Sequence, residues 1–215
     1  AVDITADSTI SSSSDGDQYN IKTNNDIDVI VTNNSTLERN QKIFNVSAAS
    51  LSGSSITIHL GSSVIAETNS IFSNGAELTI TNTGTIEATN SKAINVSNSD
   101  GVSITNNNNG VIKSNNNTIL GDAGTGADNV TIDNSGEIYT TATGTESSAI
   151  VFANNDTGNT ITNNSGGEIY SSGSESTIVL GVSSTLTNSG SIKNNKSVTN
   201  LSLIHISEPT RRTDI

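Results

Sequence analysis

The sequence predicts an all-β fold, a right-handed single-stranded parallel β-helix of about seven coils, each made of three short strands. Three observations predict it. One sequence unit recurs at intervals of 22 to 29 residues, about 26 on average. Inside each unit, apolar and polar residues alternate over short runs, the period of a half-buried strand rather than of a helix. Asn and Gly, which favour turns, fill the gaps between the runs.

The units can be read in order. VIVTNNSTL (29–37), LTITNTGTIEA (78–88), VSITNNNNGVIKS (102–114), VTIDNSGEIYT (130–140), TITNNSGGEIYS (160–171) and STLTNSGSIKN (184–194) share one grammar. It is apolar–x–apolar–Thr/Asp–Asn, then usually Gly, then x–Ile–polar. SITIHLGSSVIAE (55–67) is a weaker copy. One unit holds runs at 78–81, 85–88 and 93–96, and a later one at 130–133, 137–140 and 149–152. Leu78, Ile80, Ile86, Ile94, Val96 and their counterparts through Ile178, Leu180, Leu186 and Ile192 are expected to fill the bore. At the corner after the first run, Asn82, Gly84, Gly110, Asn134, Gly136, Asn163, Asn188 and Gly190 are the structural positions. Gly and Asn suit a corner because they tolerate positive φ, and the asparagines are expected to stack into an amide ladder.

One coil buries too little apolar surface to offset the cost of ordering it, so stability has to come from neighbouring coils. An open end coil is then a hazard. Residues 1–28, with SSSSDGDQ and few aliphatics, are expected to be an N-terminal cap or first irregular coil, and 29–200 the repeats. Residues 201–215 (LSLIHISEPTRRTDI) break the composition. They hold the only Pro and the only Arg pair, and neither Asn nor Gly. Leu201 to Arg211 is what a sequencing-library transposase adapter encodes in one frame, so this tail is excluded from the fold as a scar. The gene is expected to continue beyond Asn200. Such a join would leave the C-terminal coil uncapped and this stretch of chain prone to aggregate.

Composition narrows the function. Asn, Ser, Thr and Gly make up 113 of 215 residues, and there is no Cys, Met or Trp. Nine Lys+Arg against 21 Asp+Glu give a net charge of −12. Phosphate binding needs clustered cations; here Lys22, Arg39, Lys42, Lys92, Lys113, Lys193 and Lys196 are scattered, so no nucleic-acid partner is expected. No apolar run approaches the length of a membrane-spanning helix. Thiolate chemistry and thiolate metal sites are excluded. Disorder is disfavoured by the near-absence of Pro and the regular spacing of Ile, Val and Leu.

No catalytic, cofactor or metal constellation emerges. Asp15-Gly16-Asp17 and Gly121–Asp128 resemble calcium loops, but neither repeats in tandem, and they read as polar turns. Gly121-Asp122-Ala123-Gly124 resembles a serine-protease nucleophile loop with Ala where the nucleophile belongs. His59, in ITIHL, reads as an outward or corner-facing structural residue. Glu87, Glu137 and Glu168 occupy similar repeat positions, with Lys113 and Lys193 in the same place in other coils; this reads as a solvated charge ladder. The Asn-x-Ser/Thr triplets arise by chance at this composition.

The T-N-x-G-x-I grammar of 78–88, 102–114, 130–140, 160–171 and 184–194 resembles the passenger region of Gram-negative type V autotransporters. AVDITADSTISSSSDGD is similar to a passenger start just after signal-peptide cleavage. The resemblance covers roughly 1–200. It implies a β-helical passenger that crosses the outer membrane through a C-terminal β-barrel of the same chain and is displayed at the cell surface or secreted. A protease triad and an RGD motif are absent from the sequence, so the resemblance carries over no catalytic residue. The expected function is a non-catalytic, adhesin-like stalk whose partners are host glycans or a second copy. The alternatives are a carbohydrate-active β-helix enzyme, with loops near 121–129 and 140–148 walling a cleft, and a passive spacer.

Overall fold

The computed structural model describes residues 1–11, 17–22, 26–32, 34–47, 52–75, 77–121 and 126–194. The adapter-like tail, Asp15-Gly16, Asp122–Thr125 and Lys196 lie outside the described residues. Among the described residues all regular elements are strands, and all strand pairs are parallel. They form three sheets. The first comprises Val2–Ile4, Tyr19–Ile21, Phe44–Val46, Ile71–Ser73, Ile94–Asn95, Ile119–Leu120, Ile150–Val151 and Ile178–Val179. The second comprises Ser8–Ile10, Asp28–Val31, Ser54–Ile58, Leu78–Asn82, Ser103–Asn106, Thr131–Asn134, Thr160–Asn163 and Thr185–Asn188. The third comprises Thr36–Arg39, Ser63–Ala66, Thr85–Ala88, Val111–Ser114, Glu137–Thr140, Glu168–Ser171 and Ser191–Asn194.

The chain visits the three sheets in turn, so every strand pairs with its counterpart one winding away. This is a right-handed parallel β-helix, the hand that crossovers between parallel strands of one sheet adopt. Seven three-strand windings follow a partial winding made of Val2–Ile4 and Ser8–Ile10. Those two strands fall within residues 1–28, and Ile4, Ile10, Tyr19, Ile21 and Ile27 of that stretch join the core.

The bore is one continuous hydrocarbon column. In the second sheet Val29, Ile56, Ile80, Ile104, Ile132, Ile161 and Leu186 align; in the third, Leu37, Val64, Ile86, Ile112, Ile138, Ile169 and Ile192. Fully burying one such side chain is worth about 1.5–3 kcal/mol. Packing complementarity is visible where Phe152, wholly buried, sits beside Gly121: a Cβ at 121 would run into the Phe152 ring. Four residues expected in the bore depart from it. Leu186 is 37% exposed, and Ile178, Leu180 and Ile192 are only partly buried. They belong to the last described winding, beyond which no described winding packs.

The Asn-x-Gly corners form for a different reason from the one expected. No residue of 82–84, 134–136 or 188–190 has positive φ. Glycine is required there by close approach: a Cβ at Gly84 would overlap the carbonyl oxygens of Ser62 and His59, and one at Gly136 those of Gly110 and Asn107. Left-handed backbone occurs chiefly at the corner between the first and second sheets, at Asp26, Gly53, Gly75, Gly101, Asn129, Gly158 and Ser183.

Candidate interaction surface

The second-to-third-sheet corner carries a buried amide ladder. Asn82, Asn106, Asn134, Asn163 and Asn188 are in register. Each Nδ2 donates to the Oδ1 of the next, at 2.9 Å for Asn82–Asn106 and 2.8 Å for Asn106–Asn134, Asn134–Asn163 and Asn163–Asn188. The same Nδ2 atoms donate to the carbonyls of Gly84, Gly110, Gly136 and Gly167. The Gly84 and Gly190 amides donate to Asn82 Oδ1 and Asn188 Oδ1 at 3.2 Å. Asn82, Asn106, Asn134 and Asn163 are fully buried, so the ladder holds corners together and offers nothing to a ligand. Asn106 and Gly167 belong to this array although the sequence reading did not single them out; each stands in the same T-N-x-G grammar.

The outer face of the third sheet is chemically mixed. One column reads Glu38, Ile65, Glu87, Lys113, Tyr139, Tyr170, Lys193, and the other Thr36, Ser63, Thr85, Val111, Glu137, Glu168, Ser191. Glu87 therefore shares a column with Lys113 and Lys193, while Glu137 and Glu168 stand in the other. They flank opposite sides of the inward Ile, so all of them face out but do not form the single ladder expected. Lys113 Nζ pairs with Glu87 at 2.9 Å and Lys193 with Glu168 at 3.4 Å. The hydrogen bond to Glu87 raises the Lys113 pKa. Tyr139 and Tyr170 stack, ring centroids 4.5 Å apart and 7° from parallel. Burial, then the neighbouring Tyr139, pushes the Tyr170 phenol well above its ordinary value.

Two adjoining grooves run along this face where it turns toward the first sheet. One, about 600 Å³, is lined by Glu38, Arg39, Asn40, Ile65, Ala66, Glu67, Thr89 and Asn90. The other, about 330 Å³, is lined by Glu87, Ala88, Thr89, Lys113, Ser114, Asn115, Tyr139 and Thr141. Thr89 lines both. Beyond Thr141 the loop 141–148 folds back across two windings. Glu146, at φ 57°, reaches Asn116 Nδ2 at 2.8 Å and Lys92 Nζ at 3.4 Å. The Asn116 hydrogen bond, then Lys92, lowers the Glu146 pKa.

The second sheet's outer face is almost all hydroxyl. From Ser54–Ile58 onward the outward pairs are Ser55/Thr57, Thr79/Thr81, Ser103/Thr105, Thr131/Asp133, Thr160/Thr162 and Thr185/Thr187. On the first sheet, Lys42 Nζ lies 3.9 Å from the centroid of the Phe72 ring, and burial lowers the Lys42 pKa. His59 lies one residue past Ser54–Ile58, half-buried at the corner. Among the described residues no group of three or more His, Cys, Asp or Glu is placed to hold a metal ion. No described helix is long and apolar enough to cross a membrane. No family model, curated protein or solved structure matches the chain.

Proposed function

We propose that the chain is a surface-displayed, non-catalytic β-helical stalk of the autotransporter-passenger kind, and that it adheres through the third-sheet grooves to an extended glycan. The observation that carries this reading is the continuity of those grooves over successive windings. Their walls present amides (Asn40, Asn90, Asn115), hydroxyls (Thr89, Thr141), the Glu87–Lys113 ion pair and the apolar surfaces of Ile65 and Tyr139. Such a set can hydrogen-bond sugar hydroxyls while an aromatic edge and an aliphatic side chain cover the apolar face of the ring. The chain has only three Tyr, and two of them stand on this face. The parallel windings supply a rigid frame, so little ordering entropy is lost on binding.

Glycan-array and cell-adhesion binding by the purified chain tests the adhesive part. Binding to an extended glycan, weakened at least tenfold in Tyr139→Ala and Asn115→Ala variants with an unchanged circular dichroism spectrum, is the expected outcome. A chain that binds neither glycans nor cells would be a passive spacer. Display at the surface calls for a translocator elsewhere in the same polypeptide. Genomic sequence downstream of Asn200 is expected to encode a barrel of amphipathic strands with alternating apolar residues.

A further inference from the structure

We propose that the hydroxyl face of the second sheet binds ice. The one-to-one register makes its two outward columns straight. Neighbouring members of a column are about 4.8 Å apart, and the columns are two residues, about 6.7 Å, apart. Threonine is β-branched and stiff at χ1, so each hydroxyl and each methyl is held at a fixed lattice point.

Two features define this face. The first is composition. β-propensity favours Thr on any half-exposed strand, and it acts equally on the third sheet, whose fourteen outward positions hold four Ser or Thr among Glu, Lys, Tyr, Ile and Val. On a chain with 30 charged residues, Asp133 is the only charge among the twelve outward positions of the six strands from Ser54–Ile58 to Thr185–Asn188. The second is hydrogen bonding. Hydroxyls at the corners close onto carbonyls of the adjacent winding, as Thr32 does on Ile10 at 3.1 Å and Thr141 on Ser114 at 3.2 Å. In the array, Ser55 donates to Asp28 at 2.6 Å. The threonines and Ser103 have no protein partner among the described residues.

These hydroxyls must therefore be satisfied by water, and the water they hold takes the spacing of the array, with methyl groups between the bound molecules. A short soluble ligand could use only one or two of the repeated points, and an extended one loses conformational entropy in spanning more of them. A solid with a periodic hydrogen-bonding surface uses all of them, and it has no conformational entropy to lose. Ice is such a solid and needs no aromatic platform, and the face has none. Crystalline polysaccharide is the other periodic solid, and pyranose faces favour aromatic side chains, which stand here on the third sheet. This inference does not depend on surface display or on the groove.

The test is thermal hysteresis and ice-crystal shaping by the purified chain, together with uptake of fluorescently labelled protein into a growing ice hemisphere. Faceted crystals, measurable hysteresis and labelled ice planes are expected. Thr105→Tyr, at the centre of the array, and Thr162→Tyr, one row from its end, should each cut hysteresis at least tenfold with circular dichroism unchanged, whereas Glu137→Gln on the third sheet should leave it intact. Asp133→Thr completes the lattice and should raise hysteresis above the parent. Absence of hysteresis and shaping in the parent overturns the proposal. So does hysteresis that survives both tyrosine variants, or an Asp133→Thr variant no better than the parent. Adsorption to microcrystalline cellulose or chitin that the tyrosine variants abolish, without ice binding, would assign the face to a crystalline glycan instead.

Discussion

The windings before and after Leu78–Asn82 solve the same corner in different ways. In the early windings, the position between the second and third sheets is filled by Val31 and Ile58, both fully buried. Ile58 is directly in register with Asn82, and from there the position is Asn in every winding to Asn188. The N-terminal corner is thus closed by hydrocarbon and the C-terminal corner by amide-to-amide hydrogen bonds. The N-terminal windings also hold a pair of neighbouring interior rings, Tyr19 and Phe44, 5.6 Å apart, where the C-terminal windings bury the single ring of Phe152. The contrast shows that a buried polar side chain is tolerated in a β-helix when the next winding supplies its partner. A lone buried Asn would leave donors and acceptors unpaired, at about 1–3 kcal/mol each, whereas a stacked series leaves groups unmatched only at its ends.

The largest effect should come from placing an Asn where no ladder exists. Ile80→Asn puts an amide between Ile56 and Ile104, losing apolar burial and gaining unsatisfied polar atoms, with a cost of about 5 kcal/mol. Ile58→Asn should cost less by about 2 kcal/mol, because its amide faces Asn82 and extends the ladder. Denaturant midpoints of the two variants measure the difference; equal losses would show that the ladder contributes no pairing energy. Next in size, Asn134→Ala interrupts the ladder at its centre and should cost about 3 kcal/mol, while Asn188→Ala, at the exposed last rung, should cost under about 1 kcal/mol.

Gly136→Ala should cost about 2 kcal/mol, because the added Cβ meets the carbonyl oxygens of Gly110 and Asn107 in the adjacent winding and the windings must separate to admit it. Gly144→Ala, with no atom within reach of the added Cβ, is the matched control and should be near neutral.

The smallest effect is alkaline. The pKa values of Lys113 and Tyr170 are both raised in the folded chain. Each folded group therefore keeps its proton at a pH where the unfolded one has lost it, and the stability that each contributes falls as pH rises above about 10. Thermal unfolding followed from pH 8 upward should show that decline, and Tyr170→Phe should make it shallower. The Lys113 share is small because the pair is partly exposed to solvent.

Much of the architecture is legible locally. Alternation specifies strands, and the T-N-x-G punctuation marks where they end, so Leu78–Asn82, Thr85–Ala88 and Glu137–Thr140 follow from the chain alone. The surface chemistry is less legible. Glu87 and Glu137 follow equivalent glycines, yet Gly84 is followed by Thr-Ile-Glu and Gly136 by Glu-Ile-Tyr, so the two acids stand in different columns. Only the pairing of windings reveals that Tyr139 lies on Tyr170 or that Lys113 lies on Glu87.

The sequence by itself determined that the chain would be a stack. Period-two runs too short to bury themselves, repeated at nearly constant spacing, have one economical solution: parallel pairing of like with like. The tertiary structure alone decided the register. Corners of unequal length, such as 141–148, absorb the variation in repeat length outside the sheets, and backbone hydrogen bonds between windings then fix which side chains become neighbours. That register determines why the corner glycines cannot bear a Cβ, how far the amide ladder extends, and that one wall of the rod carries hydroxyls while another carries charge and aromatic rings.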